Sequence, residues 1–387
     1  SISGFGQILY KITPDFEVSG GVRYTDEKRS IAMTTQYPGL PLLFPTAPDL
    51  HSKNWSPELT VTYTPTSDFT IFGSLKQGYK SGSYNIVQAI APGDDNSYGD
   101  ERVRGGELGI KTRLADRQIN LNLAGYYYKY SGLQVGVNQA PVGGLPKLST
   151  ENAGAARVYG VDFDVSYQPR EIEGLSLRAA VNWNKAKFTS FVGAPCAGGQ
   201  TFAEGCNLTP RPLNPADNFD AYALAAGIHF DDPVTGDPFV YSAQDLSGTP
   251  LPRAPEWQAS FGIDYELPVG DNAKLRFGTT GQYSSKYSTN LLTRDDFIQR
   301  EFFKLGANIT LAGADDKWQI SLIGNNLTNQ YTSGLCFNSN NAGGIFFPGA
   351  VGGGPTRGAA GADEIWCSYD NGREFWLRLT LRPTGRR

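Results

Sequence analysis

"INLNLAGYYYKY", residues 119–130, decides how the rest of the chain is read. Its odd positions run Ile119, Leu121, Leu123, Gly125, Tyr127, and its even positions run Asn120, Asn122, Ala124, Tyr126, Tyr128. Successive side chains leave a strand on opposite faces, so a period of two marks a β-strand with one oily and one wet face. Both faces turn aromatic at one end. A strand that crosses a bilayer has a use for such a collar, because a tyrosine ring is apolar along its body and polar at its tip and settles at headgroup level. On this reading Ile119, Leu121 and Leu123 meet lipid, Asn120 and Asn122 meet water, and Tyr127 lies at the interface. Tyr126, Tyr128 and Tyr130 then point inward near the rim.

The same alternation recurs along the chain. Phe16, Val18, Val22 and Tyr24 alternate with Glu17, Ser19 and Arg23; Val161 and Phe163 with Asp162 and Asp164; Leu177 and Val181 with Arg178 and Asn182. Phe261 and Ile263 alternate with Ser260 and Asp264, and Leu377 and Leu379 with Arg378 and Thr380. The polar sets carry too many charges for a packed interior, which argues against a soluble sandwich or propeller. The expected arrangement places Leu121, Val161, Leu177, Phe261 and Leu379 on the lipid face, and Asn120, Asp162, Arg178, Ser260 and Arg378 on the inner face.

Bulk properties agree. The 387 residues show no composition break, 40% are hydrophobic, and the net charge is −4, so no basic face points to nucleic acid. No run of about 18 apolar residues predicts a transmembrane helix, which leaves strand crossing open because a barrel strand has low mean hydropathy. The chain starts "SISGFGQILY" without Met or a recognisable leader, as expected of a processed chain or a piece of a longer one.

About thirteen strands follow from these runs, starting near residues 2, 16, 53, 69, 102, 119, 155, 175, 255, 274, 298, 318 and 373. Their connections alternate in length. Short ones carry turn residues, "TPD" (13–15), "PTSD" (65–68), "ADRQ" (115–118), "QPREIEG" (168–174), "PVGDNA" (268–273) and "AGADDK" (312–317). Long ones cover about 31–52, 86–101, 138–153, 191–253, 290–297 and 333–372. An antiparallel meander with turns on one side and loops on the other is the plan of an outer-membrane β-barrel, here a single all-β domain over 1–387.

Five longer stretches, "FTIFGSLKQGYKSGSYN" (69–85), "GELGIKTRLADRQINLNLAGYYYKYSGLQV" (106–135), "ENAGAARVYGVDFDVSYQP" (151–169), "LPRAPEWQASFGIDYEL" (251–267) and "QISLIGNNLTNQYT" (319–332), together resemble TonB-dependent outer-membrane receptors of the iron-complex branch. The resemblance implies a 22-stranded barrel with an N-terminal plug, a TonB partner that pulls on that plug, and a location in the bacterial outer membrane. It implies that this sequence holds the C-terminal thirteen strands, with the plug, the TonB box and about nine strands outside it. The family usually ends on an aromatic residue, whereas here the last strand is followed by "PTGRR"; the expectation is either that Phe375 and Trp376 supply that cue or that the end is altered or incomplete.

Four cysteines are present, with no C-x-x-C pair and no nearby histidine, so two disulfides fit better than a metal site. Of three connectivities, Cys196–Cys206 with Cys336–Cys367 closes the shortest loops. The acidic run "GDDNSYGDE" (93–101) holds Asp94, Asp95, Asp100 and Glu101, but its spacing matches no EF-hand and a solvated loop is the expectation. No nucleophile–base pair, catalytic carboxylate pair, phosphate loop or cofactor motif occurs, so the chain is expected not to be an enzyme. The resemblance implies import of a scarce nutrient, a ferric siderophore first. A carbohydrate or aromatic ligand is the alternative, and a passive porin or adhesin barrel the other rival. The candidate binding surface is Tyr79, Tyr84, Tyr126, Tyr128 and Tyr130, with Arg294, Phe346, Phe347 and Trp366 from loops, since aromatic faces stack and an arginine offers charge-assisted hydrogen bonds.

Overall fold

A computed structural model describes residues 1–32, 48–85, 95–139, 147–195, 202–213, 229–291, 297–338 and 365–382. Thirteen strands form one antiparallel sheet in which neighbours in sequence are neighbours in space. They are β1 Ile2–Thr13, β2 Phe16–Arg29, β3 Leu50–Thr66, β4 Phe69–Lys80, β5 Glu101–Leu114, β6 Ile119–Gln139 and β7 Lys147–Tyr167. The remainder are β8 Leu175–Ser190, β9 Trp257–Val269, β10 Ala273–Ser284, β11 Phe302–Gly313, β12 Trp318–Asn325 and β13 Glu374–Leu381. Every second connection is short, from residues 14–15 to residues 168–174, and all of these lie on one rim. The long connections share the other rim.

Register fixes two faces. Across β5 to β9, Ile110 opposes Leu123, Leu123 opposes Phe163, Phe163 opposes Val181, and Val181 opposes Ala259. One residue along each strand, Lys111 opposes Asn122, Asn122 opposes Asp164, Asp164 opposes Ala180, and Ala180 opposes Ser260. Apolar and polar residues are thus segregated from β5 to β9. The apolar row stays exposed in Leu75, Leu108, Phe261, Leu322 and Leu379, as a wall facing lipid requires.

Two aromatic girdles bound that apolar band. Near the long-loop rim Tyr24 packs on Trp55, while Tyr127, Tyr159, Trp183 and Trp257 form a chain with ring centroids 6.0–6.4 Å apart. Near the short-turn rim stand Phe16 against Tyr63, then Tyr167 and Tyr265. Each strand places its two girdle residues eight positions apart (16 and 24, 55 and 63, 159 and 167, 257 and 265). At about 3.3 Å per residue and a tilt of about 40°, eight residues rise about 20 Å, close to the apolar height of an outer-membrane barrel.

Three features depart from the sequence reading. β6 and β7 run on to Gln139 and from Lys147, so their hairpin stands well above the outer girdle where the periodicity suggested loop over 138–153. Both faces of a strand are wet there, so alternation in hydrophobicity no longer marks it. The segment 191–253 holds a small sheet of its own, in which Pro238–Asp245 pairs with Val192–Pro195, Leu208–Pro212 and Phe230–Asp231. Residues Ile298–Gln299 pair with Tyr287–Ser288 in a separate short ladder, so β11 starts later than expected, at Phe302.

Candidate ligand-binding site

The inner face near the long-loop rim carries the sequence candidates that share a surface. Tyr126, Tyr128 and Tyr130 lie on the polar row of β6, opposite Glu107, Gly105 and Val103 of β5 and Gly160, Val158 and Ala156 of β7. Glycine makes room for two of these rings. A Cβ on Gly160 would lie 2.6 Å from the Tyr126 hydroxyl, and a Cβ on Gly105 would lie 2.6 Å from the Tyr128 ring.

The Tyr126 hydroxyl is already engaged. It donates to Asn184 Oδ1 at 3.2 Å and accepts from Asn182 Nδ2 at 3.1 Å, while Asn182 also donates to Asp162 Oδ1 at 2.5 Å. A ligand would therefore meet its ring and not its oxygen. Tyr128 lines an inner concavity of about 400 Å³ with Phe5, Arg23, Glu58 and Lys76. Lys76 donates to Glu107 Oε1 at 2.9 Å, and Arg23 lies over the Phe5 ring at 5.9 Å. Tyr130 is turned to another use. It packs against a buried cluster of Ala153, Ala156, Phe188, Phe191, Ala194 and Leu246, which seats the loop after β8 against the inner wall.

The other candidates are dispersed. Tyr84 is 8% exposed, and its hydroxyl lies 2.7 Å from the Pro48 carbonyl and 2.9 Å from that of Arg29. It ties down the base of the loop between β2 and β3. Tyr79 opposes Arg102 and shares the parity of Ile71 and Leu75, which is the lipid-facing row. Trp366 sits opposite Phe337 in the ladder of Ser333–Asn338 with Ile365–Tyr369, and Cys336 and Cys367 in that ladder form a disulfide. Cys206 is also disulfide-bonded, while Cys196, Arg294, Phe346 and Phe347 lie outside the described residues.

The acidic run at 93–101 has a structural task. Asp95 accepts from the Ser97 amide at 2.8 Å, and Glu101 accepts from the Gln134 amide at 2.8 Å. Asp100 accepts from Ser52 Oγ at 2.5 Å, Asn54 Nδ2 at 2.8 Å and the Gly82 amide at 2.9 Å. Burial raises the Asp100 carboxyl, but these bonds and the Arg102 charge outweigh it and hold the group below its ordinary 3.8. The expectation of a solvated loop fails at Asp100, because the chain folds back and uses the carboxylate to join β3, the end of β4 and the start of β5. Asp94 lies outside the described residues, and no group of metal-ligating side chains occurs among those described.

Sequence reasoning missed Phe5, Arg23 and Lys76. β1 carries apolar residues on both faces, Phe5 and Leu9 on one and Ile8 and Ile12 on the other, so alternation alone does not say which way Phe5 points. It also missed a loop cluster in which Phe202, Phe230, Phe239 and Tyr241 pack at centroid distances of 5.3–5.7 Å. The paired strands that assemble it are two to eight residues long and show no period.

A thirteen-stranded antiparallel wall with paired aromatic girdles, a polar inner face and long loops on one rim defines an outer-membrane barrel protein. Residues 1–327 match the family described as "TonB dependent receptor-like, beta-barrel", and the chain belongs to that family. Its members are transporters of the bacterial outer membrane, not enzymes. Among relatives, the pesticin receptor of Yersinia enterocolitica is 29% identical over 170 residues, 43% of this chain and 24% of that protein. The ferric yersiniabactin uptake receptor FyuA from Yersinia pestis superposes with a TM-score of 0.63 at 16% identity, over 97% of this chain and 44% of that one. The siderophore receptor PiuA from Acinetobacter baumannii gives 0.59 at 13% identity, over 97% and 42%. The chain thus spans less than half the length of the proteins it matches.

Proposed function

We propose that this chain forms the substrate-facing wall of a receptor that imports a ferric siderophore across the outer membrane, driven through TonB from the inner membrane. Transport here is selective binding followed by gated passage, with no covalent step. The observation that carries the reading is the inner concavity beside Tyr128, where the Phe5 and Tyr128 rings stand next to Arg23 and Lys76. Flat aromatic or amide groups stack on such rings, and the cations suit an anionic chelate. FyuA and PiuA, which share the fold, are named a ferric yersiniabactin uptake receptor and a siderophore receptor. The net charge of −4 gives little long-range attraction, so recognition would be local.

The full-length protein, purified in detergent, is titrated with a panel of ferric siderophores. Tyr128→Ala should weaken binding by about three- to tenfold, the range of one lost aromatic contact, and Arg23→Gln should weaken an anionic complex more than a neutral one. Tyr84→Ala should act on stability and not on affinity. If no iron complex binds while a carbohydrate or a small aromatic acid does, the ligand class is wrong although the family stands.

A further inference from the structure

A second concavity, of about 470 Å³, lies on the inner wall where β7, β8, β9, β10 and β11 run side by side. Register builds it from two rungs. In one, Asp162 opposes Asn182, Asn182 opposes Gln258, Gln258 opposes Ser284, and Ser284 opposes Phe302. In the next rung of that face, Asp164 opposes Ala180, Ala180 opposes Ser260, Ser260 opposes Gln282, and Gln282 opposes Lys304. At about 4.8 Å between strands each rung is about 19 Å long. The hollow exists because its floor is made of the short side chains of Ala180, Ser260 and Ser284. Carboxylates stand at one end of it and the Phe302 ring at the other. The Tyr126 hydroxyl, bonded to Asn182 and Asn184, marks the boundary towards β6 and the concavity beside Tyr128.

The chemistry of this hollow differs from that of its neighbour. Lys304 is engaged by Asp370 and Thr332, and its ammonium lies over the Phe302 ring at 5.5 Å. Asp162 and Asp164 make no ion pair among the described residues. Each uses one oxygen, Oδ1, to accept from an asparagine, Asn182 at 2.5 Å and Asn122 at 2.8 Å, which leaves the second oxygen as an acceptor. The side chains of Gln258 and Gln282 are exposed and make no hydrogen bond among the described residues. Each amide brings two donors and an acceptor. An anion would be repelled by the two carboxylates, and an apolar solute would strand the amides and carboxylates out of water. Hydroxyl groups, which both donate and accept, suit all four side chains at once.

We propose that this concavity is a subsite for a neutral polyhydroxylated group, a sugar of one or two rings. Its hydroxyls would donate to Asp162 and Asp164 and exchange hydrogen bonds with Gln258 and Gln282, while an apolar edge of the ring would rest towards Phe302. Few, well-placed polar groups around a hollow fix orientation, as in other small-molecule sites. The subsite stands whether or not the concavity beside Tyr128 takes a ferric siderophore.

The test uses the full-length receptor in detergent, titrated by calorimetry with maltose, sucrose, trehalose and cellobiose, and with 1,4-diaminobutane as the probe for a purely acidic site. At least one disaccharide should bind with a Kd of about 1 mM or tighter, and its affinity should not change between about 50 and 500 mM salt, because a neutral solute carries no charge to be screened. Ser260→Leu fills the floor and should weaken that sugar by about tenfold or more. Asp164→Asn keeps the shape and removes a charged acceptor, and should weaken it by about three- to tenfold. If Ser260→Leu does not fold, Asp164→Asn and Gln282→Ala decide. Absence of binding by all four disaccharides, binding of the diamine alone, or a sugar affinity that the folded variants leave within twofold of wild type would each overturn the proposal. The same preparation is titrated with the ferric siderophore panel. Sugar binding without any iron complex keeps this subsite and sinks the siderophore reading, and iron complexes without any sugar do the reverse.

Discussion

Gly125 and Gly160 occupy adjacent rungs of the β6–β7 ladder, opposite Val161 and Tyr126 respectively, yet they answer to different constraints. At Gly160 a Cβ would lie 2.0 Å from the Trp183 carbonyl oxygen and 2.6 Å from the Tyr126 hydroxyl, so either backbone or ring must shift. At Gly125 the nearest atom, the Gly160 carbonyl oxygen, would lie 3.9 Å away, an ordinary contact. Gly160→Ala is therefore expected to destabilise the barrel by about 1–3 kcal/mol, the usual cost of overpacking, and to break the Asn182–Tyr126–Asn184 chain. Gly125→Ala should be nearly neutral. Urea-induced unfolding of the full-length protein in lipid vesicles separates the two, and equal stability of both variants would show that the Tyr126 ring is not held as described.

At the scale of one strand, the alternation of β6 states which residues may carry charge. Leu123 lies midway along its outward row between Ile119 and Tyr127, while Asn122 beside it faces inward and donates to Asp164 Oδ1 at 2.8 Å. Leu123→Arg places a cation near the bilayer midplane and should cost about 2–4 kcal/mol. Asn122→Arg exchanges a hydrogen bond for an ion pair with Asp164 in a wet lumen, and its effect should stay within about 1 kcal/mol. Vesicle folding titrations check both. A reversal of the order would mean the strand is one residue out of register, because such a slip turns every side chain to the other face.

At the scale of the molecule, two carboxylates tie the long-loop rim together. Asp100 joins three strands, and Asp370 binds Lys304 and Thr332 beside the last loop, where the hydrogen bond from Lys304 is the main cause that holds its carboxyl below 3.8. For a group whose folded pKa is depressed, the stabilisation is complete above the unfolded value and is lost as the pH falls through the folded one. The rim should therefore keep its order down to about pH 4 and loosen only below 3.8, while the strands between the girdles persist. Amide hydrogen exchange across that range, with Asp100→Asn as the variant that loosens the rim already at neutral pH, tests this. Exchange that rises equally in β6 and in the rim would refute it. The sheet also has two edges, β1 and β13, which do not pair with each other among the described residues. Unpaired backbone groups are not tolerated in hydrocarbon, so residues 1–387 expressed alone should fail to give a heat-resistant barrel in vesicles. Recovery of such a species would overturn the need for further strands.

The alternation of Ile119 to Tyr127, and of its counterparts in the other strands, by itself determined the fold class, the two faces and the order of turns and loops. It could do so because a membrane strand meets two solvents and every residue must suit one of them. The Cys336–Cys367 disulfide was legible for a related reason, since both residues lie in one loop and closing it is cheap. The binding surface was only partly legible. Parity placed Tyr126, Tyr128 and Tyr130 on the inner wall, but only the tertiary structure decided that Tyr126 has spent its hydroxyl on asparagines, that Tyr130 is covered by the loop after β8, and that Tyr84 and Asp100 are ties. Those outcomes depend on strands distant in sequence and on loops, where both faces are wet and periodicity carries no information.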